Sequence, residues 1–262
     1  MTDILEEIVA WKHREIELMK AQMPGSSMRR IIEDQTFYKR PGMKNALKES
    51  QTGIIAEFKR KSPSRGWINE DARATDIPFS YQQHGATAVS ILTDDRYFGG
   101  RDEFVKDARR TGVRIPILYK NFVIDEYQLL QARLSGVSSV LLIAACLDMR
   151  TCQTLIRQAH ELGLEVLLEI HSEDELDYAG LPTDLIGVNN RNLDTFETNV
   201  NTSFGLIEQL PAEAIKISES GISDPSIVRE LRDAGYRGFL IGESFMKTRD
   251  PGQALENFIE QL

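Results

Sequence analysis

From residue 54 onward the chain repeats one pattern, a short run of β-branched residues and leucine followed by a longer amphipathic stretch. Eight runs can be marked: Ile54–Phe58, Thr87–Leu92, Ile115–Lys120, Ser139–Ile143, Leu164–Ile170, Asp184–Asn189, Ala214–Ser218 and Gly238–Ile241. Their starting points lie about 20 to 33 residues apart, the length that one strand, one helix and two short loops require. Several runs are apolar nearly throughout, as parallel strands buried on both faces must be. Eight such units predict an α/β fold of the (β/α)8 TIM-barrel type. An open doubly wound sheet is the competing architecture, but no Gly-x-Gly-x-x-Gly follows the first run.

The stretches between runs carry helix signals. Asp125–Leu134, Asp148–Leu162 and Asp224–Ala234 each begin on an acidic cap, and Gly235 closes the last. Residues 1–48 read differently. Leu5, Ile8, Val9, Ile16 and Met19 recur at helical spacing up to Pro24 and Gly25, a weaker helical stretch surrounds Ile31 and Ile32, and a short helix is expected near Ala46 and Leu47. No Pro-, Gly- or Ser-rich linker interrupts residues 54–262, so the extension (1–48) and the barrel (49–262) are expected to fold as one unit.

Composition narrows the function classes. Of 262 residues, 31 are Lys or Arg and 40 Asp or Glu, a formal net charge of −9 that excludes a basic nucleic-acid binder. The most apolar window, Val140 to Leu147, falls far short of the roughly 20 residues that cross a bilayer, so no membrane partner is expected. Acidic residues stud Met1 to Lys20, which does not read as a secretory signal, and a cytoplasmic location is expected. Cys146 and Cys152 read as reduced structural thiols, and the histidines (His13, His84, His160, His171) are scattered, so no metal is expected.

In a barrel of this kind chemistry sits at the carboxyl ends of strands, and polar groups close several of the apolar runs. Glu57 and Lys59 close the first, Lys120 the third, Glu169 the fifth, Asn189 and Arg191 the sixth, and Glu219 the seventh. Each alone reads most simply as a solvated strand end. Together they converge on one small mouth, where unpaired charge is costly to desolvate. Residues two apart share a face, so Glu57 with Lys59, and Asn189 with Arg191, point the same way, whereas Lys216 has the opposite parity to Glu219 and is assigned to the helix-facing side. The loops Ser220-Gly221-Ile222-Ser223 and Gly242-Glu243-Ser244 offer backbone N–H groups to an anion, here a substrate phosphate, or simply serve tight turns.

These residues resemble those of the indole-3-glycerol-phosphate synthase family over essentially the whole chain. The similarity is carried by Ile54-Ile-Ala-Glu-Phe-Lys-Arg-Lys-Ser-Pro-Ser64, Ser90-Ile-Leu-Thr93 with Tyr97-Phe-Gly-Gly100, and Pro116-Ile-Leu-Tyr-Lys-Asn-Phe122. Gly187-Val-Asn-Asn-Arg-Asn-Leu193, Ser218-Glu-Ser-Gly-Ile-Ser223 and Leu240-Ile-Gly-Glu-Ser244 complete it. The resemblance implies an N-terminal extension covering the catalytic end of the barrel. It implies a lyase of tryptophan biosynthesis that converts 1-(2-carboxyphenylamino)-1-deoxyribulose 5-phosphate to indole-3-glycerol phosphate, CO2 and water, with no cofactor. Association with other enzymes of that pathway stays open.

By the same resemblance Lys120 is the general acid of ring closure and Glu169 its partner in proton transfer. Lys59 pairs with the substrate's anionic groups, and Glu57 and Glu219 orient and tune the lysines. Asn189, Arg191 and Ser62 hold substrate polar groups, and Phe98 and Phe122 stand where an anthranilate ring packs. The backbone of Ser220, Gly221, Gly242 and Glu243 takes the phosphate. The chain departs from the family at Asn121, where Asp is usual, with Tyr119 before the lysine in place of Arg or Met. Loss of that carboxylate is expected to favour neutral Lys120 slightly, the competing outcome being that strand parity turns Asn121 to the opposite face, toward the next helix. Trp67 also departs, standing where a small aliphatic residue is usual. Two other readings stay in view: a Schiff-base aldolase acting on a sugar phosphate, which also uses a strand-end lysine, and a non-catalytic barrel that binds a phosphorylated metabolite.

Overall fold

The structure is a computed structural model that describes residues 4–35, 40–193 and 195–262. Eight parallel strands close into a barrel: β1 (Ile54–Phe58), β4 (Ala88–Leu92), β5 (Ile117–Lys120), β6 (Ser139–Ile143), β7 (Glu165–Ile170), β8 (Leu185–Asn189), β9 (Ile215–Glu219) and β10 (Gly238–Ile241). The remaining two, β2 (Lys61–Ser62) and β3 (Gly66–Trp67), form a small antiparallel hairpin beyond the end of β1. That hairpin has no counterpart in the sequence reading, because two-residue strands leave no alternation to detect.

Alternation within the long strands sorts the core into two parts. Ile55, Ala88, Leu118, Leu141, Leu167, Leu185, Ile217 and Leu240 point inward and fill the barrel. Their neighbours, among them Ile54, Val89, Tyr119, Val140, Val166, Ile186 and Phe239, point outward and pack beneath the helices. Two residues further along β1, β5, β7 and β9 the inward positions reach the mouth as Glu57, Lys120, Glu169 and Glu219, and four residues beyond Leu185, past Gly187, β8 brings Asn189 there. Lys216 has the outward parity and is buried beside Ile215, as its position in the run predicts.

Acidic caps fix where the surrounding helices begin. Asp125 accepts from Tyr127 N ahead of α7 (Glu126–Ser135), Asp148 from Thr151 N ahead of α8 (Met149–Glu161), and Asp224 from Ser226 N ahead of α10 (Pro225–Ala234). Each such cap contributes about 1 kcal/mol. Gly235, at φ 120°, ends α10 in a conformation open to glycine but rare for other residues.

The N-terminal extension reaches both ends of the barrel. Its first helix, α1 (Ile4–Gln22), places Ile4, Leu5 and Ile8 in the wall of the mouth. The second, α2 (Gly25–Asp34), runs along α7. The third, α3 (Met43–Glu49), lies at the opposite end, where Met43 and Leu47 are fully buried against the interior aliphatic residues and plug the barrel. A strand residue holds this plug: the Glu165 carboxylate accepts from the backbone N–H groups of Met43 and Lys44, satisfying orphan donors of the first turn. Among the described helices of the extension, α1 covers the catalytic end, as expected, while α3 closes the opposite one.

Candidate active site

At the carboxyl end of β5 the Lys120 ammonium lies 2.8 Å from Glu169 Oε2 and 2.7 Å from Glu219 Oε2. Both carboxylates are almost fully buried. Across the mouth, Lys59 Nζ lies 2.8 Å from Glu57 Oε1. Close backbone approach leaves room for these side chains. A Cβ on Gly187 would come within 2.3 Å of Glu219 Oε1, and one on Gly242 within 2.5 Å of Glu57 Oε1, so a side chain at either position would push that carboxylate out of place.

Burial by itself would make Lys120 easier to deprotonate. The charges of Glu169 and Glu219, with Glu57 beyond them, outweigh it and hold the ammonium above the ordinary lysine range. Burial likewise favours neutral Glu169, but Lys120 and His171 overcome it and keep this carboxyl well below the usual value. Glu219 goes the other way. Burial and the negative charge on Glu169 push it up to about 8, against the pull of Lys120. The mouth thus gathers an ammonium and two carboxyl groups of opposite tendency, Glu169 held ionised and Glu219 drawn toward its protonated form, a set that can both give and take protons.

The side chains and loops singled out from the sequence line one cavity of about 370 Å³, within the range of small-molecule sites. Phe98 and Phe122 stand together in its wall, ring centroids 6.1 Å apart, beside the α1 residues Ile4, Leu5 and Ile8. Arg191 Nη1 reaches Ser64 Oγ at 3.3 Å, and Asn189 Oδ1 accepts from the Arg191 backbone N–H. The Ser62 hydroxyl is buried and has no hydrogen-bond partner among the described residues.

The two glycine loops border the same cavity. Ser220 and Gly221 both adopt positive φ, 68° and 75°, and a Cβ on Gly221 would approach Thr198 Cγ2 to 2.6 Å. A buried amide anchors this turn: Asn190 Nδ2 donates to Ser220 O and Ser218 Oγ, while its Oδ1 accepts from the N–H and hydroxyl of Ser203. Gly242 immediately precedes α11 (Glu243–Met246). Successive N–H groups at such turns form anion-binding concavities.

Asn121 does not face Lys120. Its Nδ2 donates to Thr93 Oγ1 at 2.9 Å, and its Oδ1 accepts from Phe122 N. Lys120 is governed by Glu169 and Glu219 instead: Asn121 takes the opposite face that strand parity allows, and the alternative in which it tunes the lysine is corrected. Trp67 is half-exposed on the hairpin, with the Arg60 guanidinium 5.3 Å from its ring, and it leans over Gly99. The sequence reading expects the extension over the mouth but passes over Asn190 and His171, which lies 3.2 Å from Glu169 Oε1. His171 stands two residues beyond Glu169, the same spacing that brought Glu57 and Lys59 together, and that was the signal available.

A family profile described as indole-3-glycerol phosphate synthase matches residues 5–258. An indole-3-glycerol phosphate synthase from Bacteroides thetaiotaomicron is 53% identical over 262 residues, covering 100% of both chains. One from Chromobacterium violaceum is 42% identical over 260 residues, with 97% of each chain covered. Among solved structures, a tryptophan synthase α-subunit from Pyrococcus furiosus superposes with a TM-score of 0.60 at 15% identity, over 80% of this chain and 97% of that one. 3-Hexulose-6-phosphate synthase from Salmonella typhimurium gives 0.63 at 14% identity, over 80% and 98%. These two likenesses speak to the barrel fold alone, whereas the profile and the full-length identities go further: the chain belongs to the indole-3-glycerol phosphate synthase family.

Proposed function

We propose that the chain acts in the cytoplasm on 1-(2-carboxyphenylamino)-1-deoxyribulose 5-phosphate, closing the indole ring to give indole-3-glycerol phosphate, CO2 and water. The observation that carries this reading is the Lys120 ammonium, kept charged between Glu169 and Glu219 in a cavity lined by both an aromatic pair and glycine loops. The substrate's aryl ring packs against Phe98 and Phe122, and its phosphate accepts from the backbone of Ser220, Gly221, Gly242 and Glu243. Lys59, oriented by Glu57, faces the substrate carboxylate, and Asn189, Arg191 and Ser62 hold hydroxyl groups.

Lys120 gives its proton to the ketone oxygen as the aryl carbon that bears the carboxylate attacks the ketone carbon. CO2 departs, and the electron pair of the broken bond restores the aromatic ring. The new hydroxyl then leaves as water with a proton supplied by a lysine. Glu169 takes the last proton from the neighbouring methylene carbon, which completes the indole. One proton is consumed overall, matching the carboxylate charge that leaves as neutral CO2.

The aldolase reading needs a neutral amine as nucleophile, and the two carboxylates around Lys120 favour the opposite form. Mixing purified protein with the substrate and following indole fluorescence tests the proposal, since a rise is expected. Borohydride added during turnover should trap nothing. A covalent adduct on Lys120 without indole formation would install the aldolase in its place.

A further inference from the structure

His171 follows the last residue of β7 and sits with its side chain only 9% exposed. Its Nε2 lies 3.2 Å from Glu169 Oε1, an ion-pair contact in which the ring N–H is not aligned as a hydrogen bond and finds no other partner among the described residues, while Lys120 holds Oε2. Its other nitrogen, Nδ1, lies 3.3 Å from Glu175 Oε2, and the same oxygen accepts from the His171 backbone N–H at 2.6 Å. Glu175 comes from the 3-10 segment Glu173–Gly180, so strand and following segment clamp the ring from two directions.

A glutamate's terminal torsion is broad and weakly constrained by sterics. Glu169 has one oxygen on Lys120 and the other on His171, so its carboxylate plane is set by two cationic partners rather than by rotamer preference. We propose that His171 is a positioning residue that acts through Glu169, fixing the orientation of this carboxylate and keeping it ionised while Lys120 hands its proton to the substrate. The inference rests on the ring-closure reading above.

The order of events makes a second cation necessary. Once Lys120 has given up its proton, Glu169 no longer faces an ammonium, and its basicity would rise at the wrong moment if no second cation were present. His171 supplies that cation. The charged groups that face it are Glu169 and Glu175, with Lys120 and Glu219 beyond Glu169. Burial lowers its affinity for a proton, but the two glutamates more than compensate and raise the imidazole to about 9, so both ring nitrogens carry protons at neutral pH.

The test compares two replacements of similar size. Glutamine places an amide N–H near the position of Nε2, while asparagine places one near Nδ1 and leaves Glu169 without its partner. With wild-type turnover established by indole fluorescence, His171→Asn should lower kcat by about 10–100-fold with KM within about threefold, the size of loss seen when a partner that orients a reacting group is removed. His171→Gln should recover much of that loss. In a Glu169→Gln background the same His171→Asn change should add less than about threefold, because the group it positions is already gone. Circular dichroism and thermal melting establish that each variant is folded, and any that is not is replaced by His171→Ser, which also leaves Glu169 unpartnered. Equal losses in both backgrounds, a change confined to KM, or His171→Gln no better than His171→Asn would each overturn the assignment. Absence of turnover in the wild type would instead overturn the ring-closure reading.

Discussion

Lys12 on α1 and Asp94 after β4 form an ion pair 2.6 Å long, with side chains 2% and 0% exposed. The same Asp94 caps α5 (Asp95–Phe98) by accepting from the N–H groups of Tyr97 and Phe98. One buried carboxylate therefore ties the extension to the loop that presents Phe98 to the cavity. Glu7 adds a weaker tie through the Tyr97 hydroxyl at 3.1 Å.

Removing one member of a buried pair leaves the other charge without compensation, which typically costs about 3–5 kcal/mol. Lys12→Met is predicted to destabilise the protein by that order and to raise KM, since Phe98 loses its fixed position. Adding Asp94→Asn to Lys12→Met should restore part of the loss. Denaturant unfolding of the three proteins checks this, and a single-variant loss below about 1 kcal/mol would show that the pair does not hold α1 in place.

Lys120→Ala should abolish detectable turnover, with the fold and substrate binding largely preserved. Loss of a general acid typically lowers the rate by about 10²–10⁴-fold, and here Glu169 and Glu219 would also lose their shared cation. Glu169→Gln should likewise depress kcat far more than it weakens binding, because the amide keeps the shape but exchanges no proton. Steady-state kinetics decides both: a wild-type kcat in Lys120→Ala removes it as the acid, and a change confined to KM in Glu169→Gln reassigns that residue to binding.

Stability should respond to pH through His171. Its folded value, about 9, is raised above the ordinary 6.5, so its contribution is complete below pH 6.5 and is lost as pH rises through 9. Glu219, raised from 4.5 to about 8, contributes in the same sense, with its loss falling between those two values. The melting temperature should therefore decline from pH 6.5 to 9, and His171→Gln should flatten the upper part of that decline. Parallel curves for wild type and variant across this window would contradict the assignment of His171 as the titrating group.

The two glycine loops predict different kinetic outcomes. Inorganic phosphate should inhibit competitively, and Gly221→Val should raise KM, because it introduces a β-branched side chain at φ 75° against Thr198. Gly242→Val should lower kcat as well, since its Cβ would displace Glu57, the partner of Lys59. Unchanged KM in a folded Gly221→Val would move the phosphate elsewhere.

Much of this arrangement is legible in the sequence, for identifiable reasons. Parallel strands buried on both faces leave unbroken apolar runs, so all eight barrel strands lie within a few residues of their expected places. Strict two-residue alternation then carries Ile55 to Glu57, Leu118 to Lys120, Leu167 to Glu169 and Ile217 to Glu219, which is why their convergence could be argued from spacing. Alternation still held just past the strand ends, where His171 shares the face of Glu169 and Asn121 turns away from Lys120, but their partners Glu175 and Thr93 are ones that no local pattern reveals. The position of α3 was equally hidden, because seven residues with two buried side chains do not say which end of a barrel they close.

Asn121 makes the last prediction, and the structure reverses its direction. Were its side chain beside the Lys120 ammonium, Asn121→Asp would extend activity to higher pH by favouring the charged lysine. Instead the carboxamide is 7% exposed and donates to Thr93 Oγ1, with the Tyr119 hydroxyl 3.5 Å away. Tyr119 already donates its own proton to Asp102 Oδ1 at 2.7 Å, so it offers a new carboxylate at 121 no free hydrogen. A buried aspartate there would lose a donor and gain a neighbouring negative charge, a change that typically costs about 1–3 kcal/mol for the unsatisfied group alone. Asn121→Asp is therefore predicted to lower the melting temperature while leaving the alkaline limb of kcat/KM in place. Adding Tyr119→Phe should not rescue it, because Asp102 then loses its own donor. A shift of the alkaline limb to higher pH, measured alongside thermal unfolding of the same variant, would show that residue 121 tunes Lys120 after all.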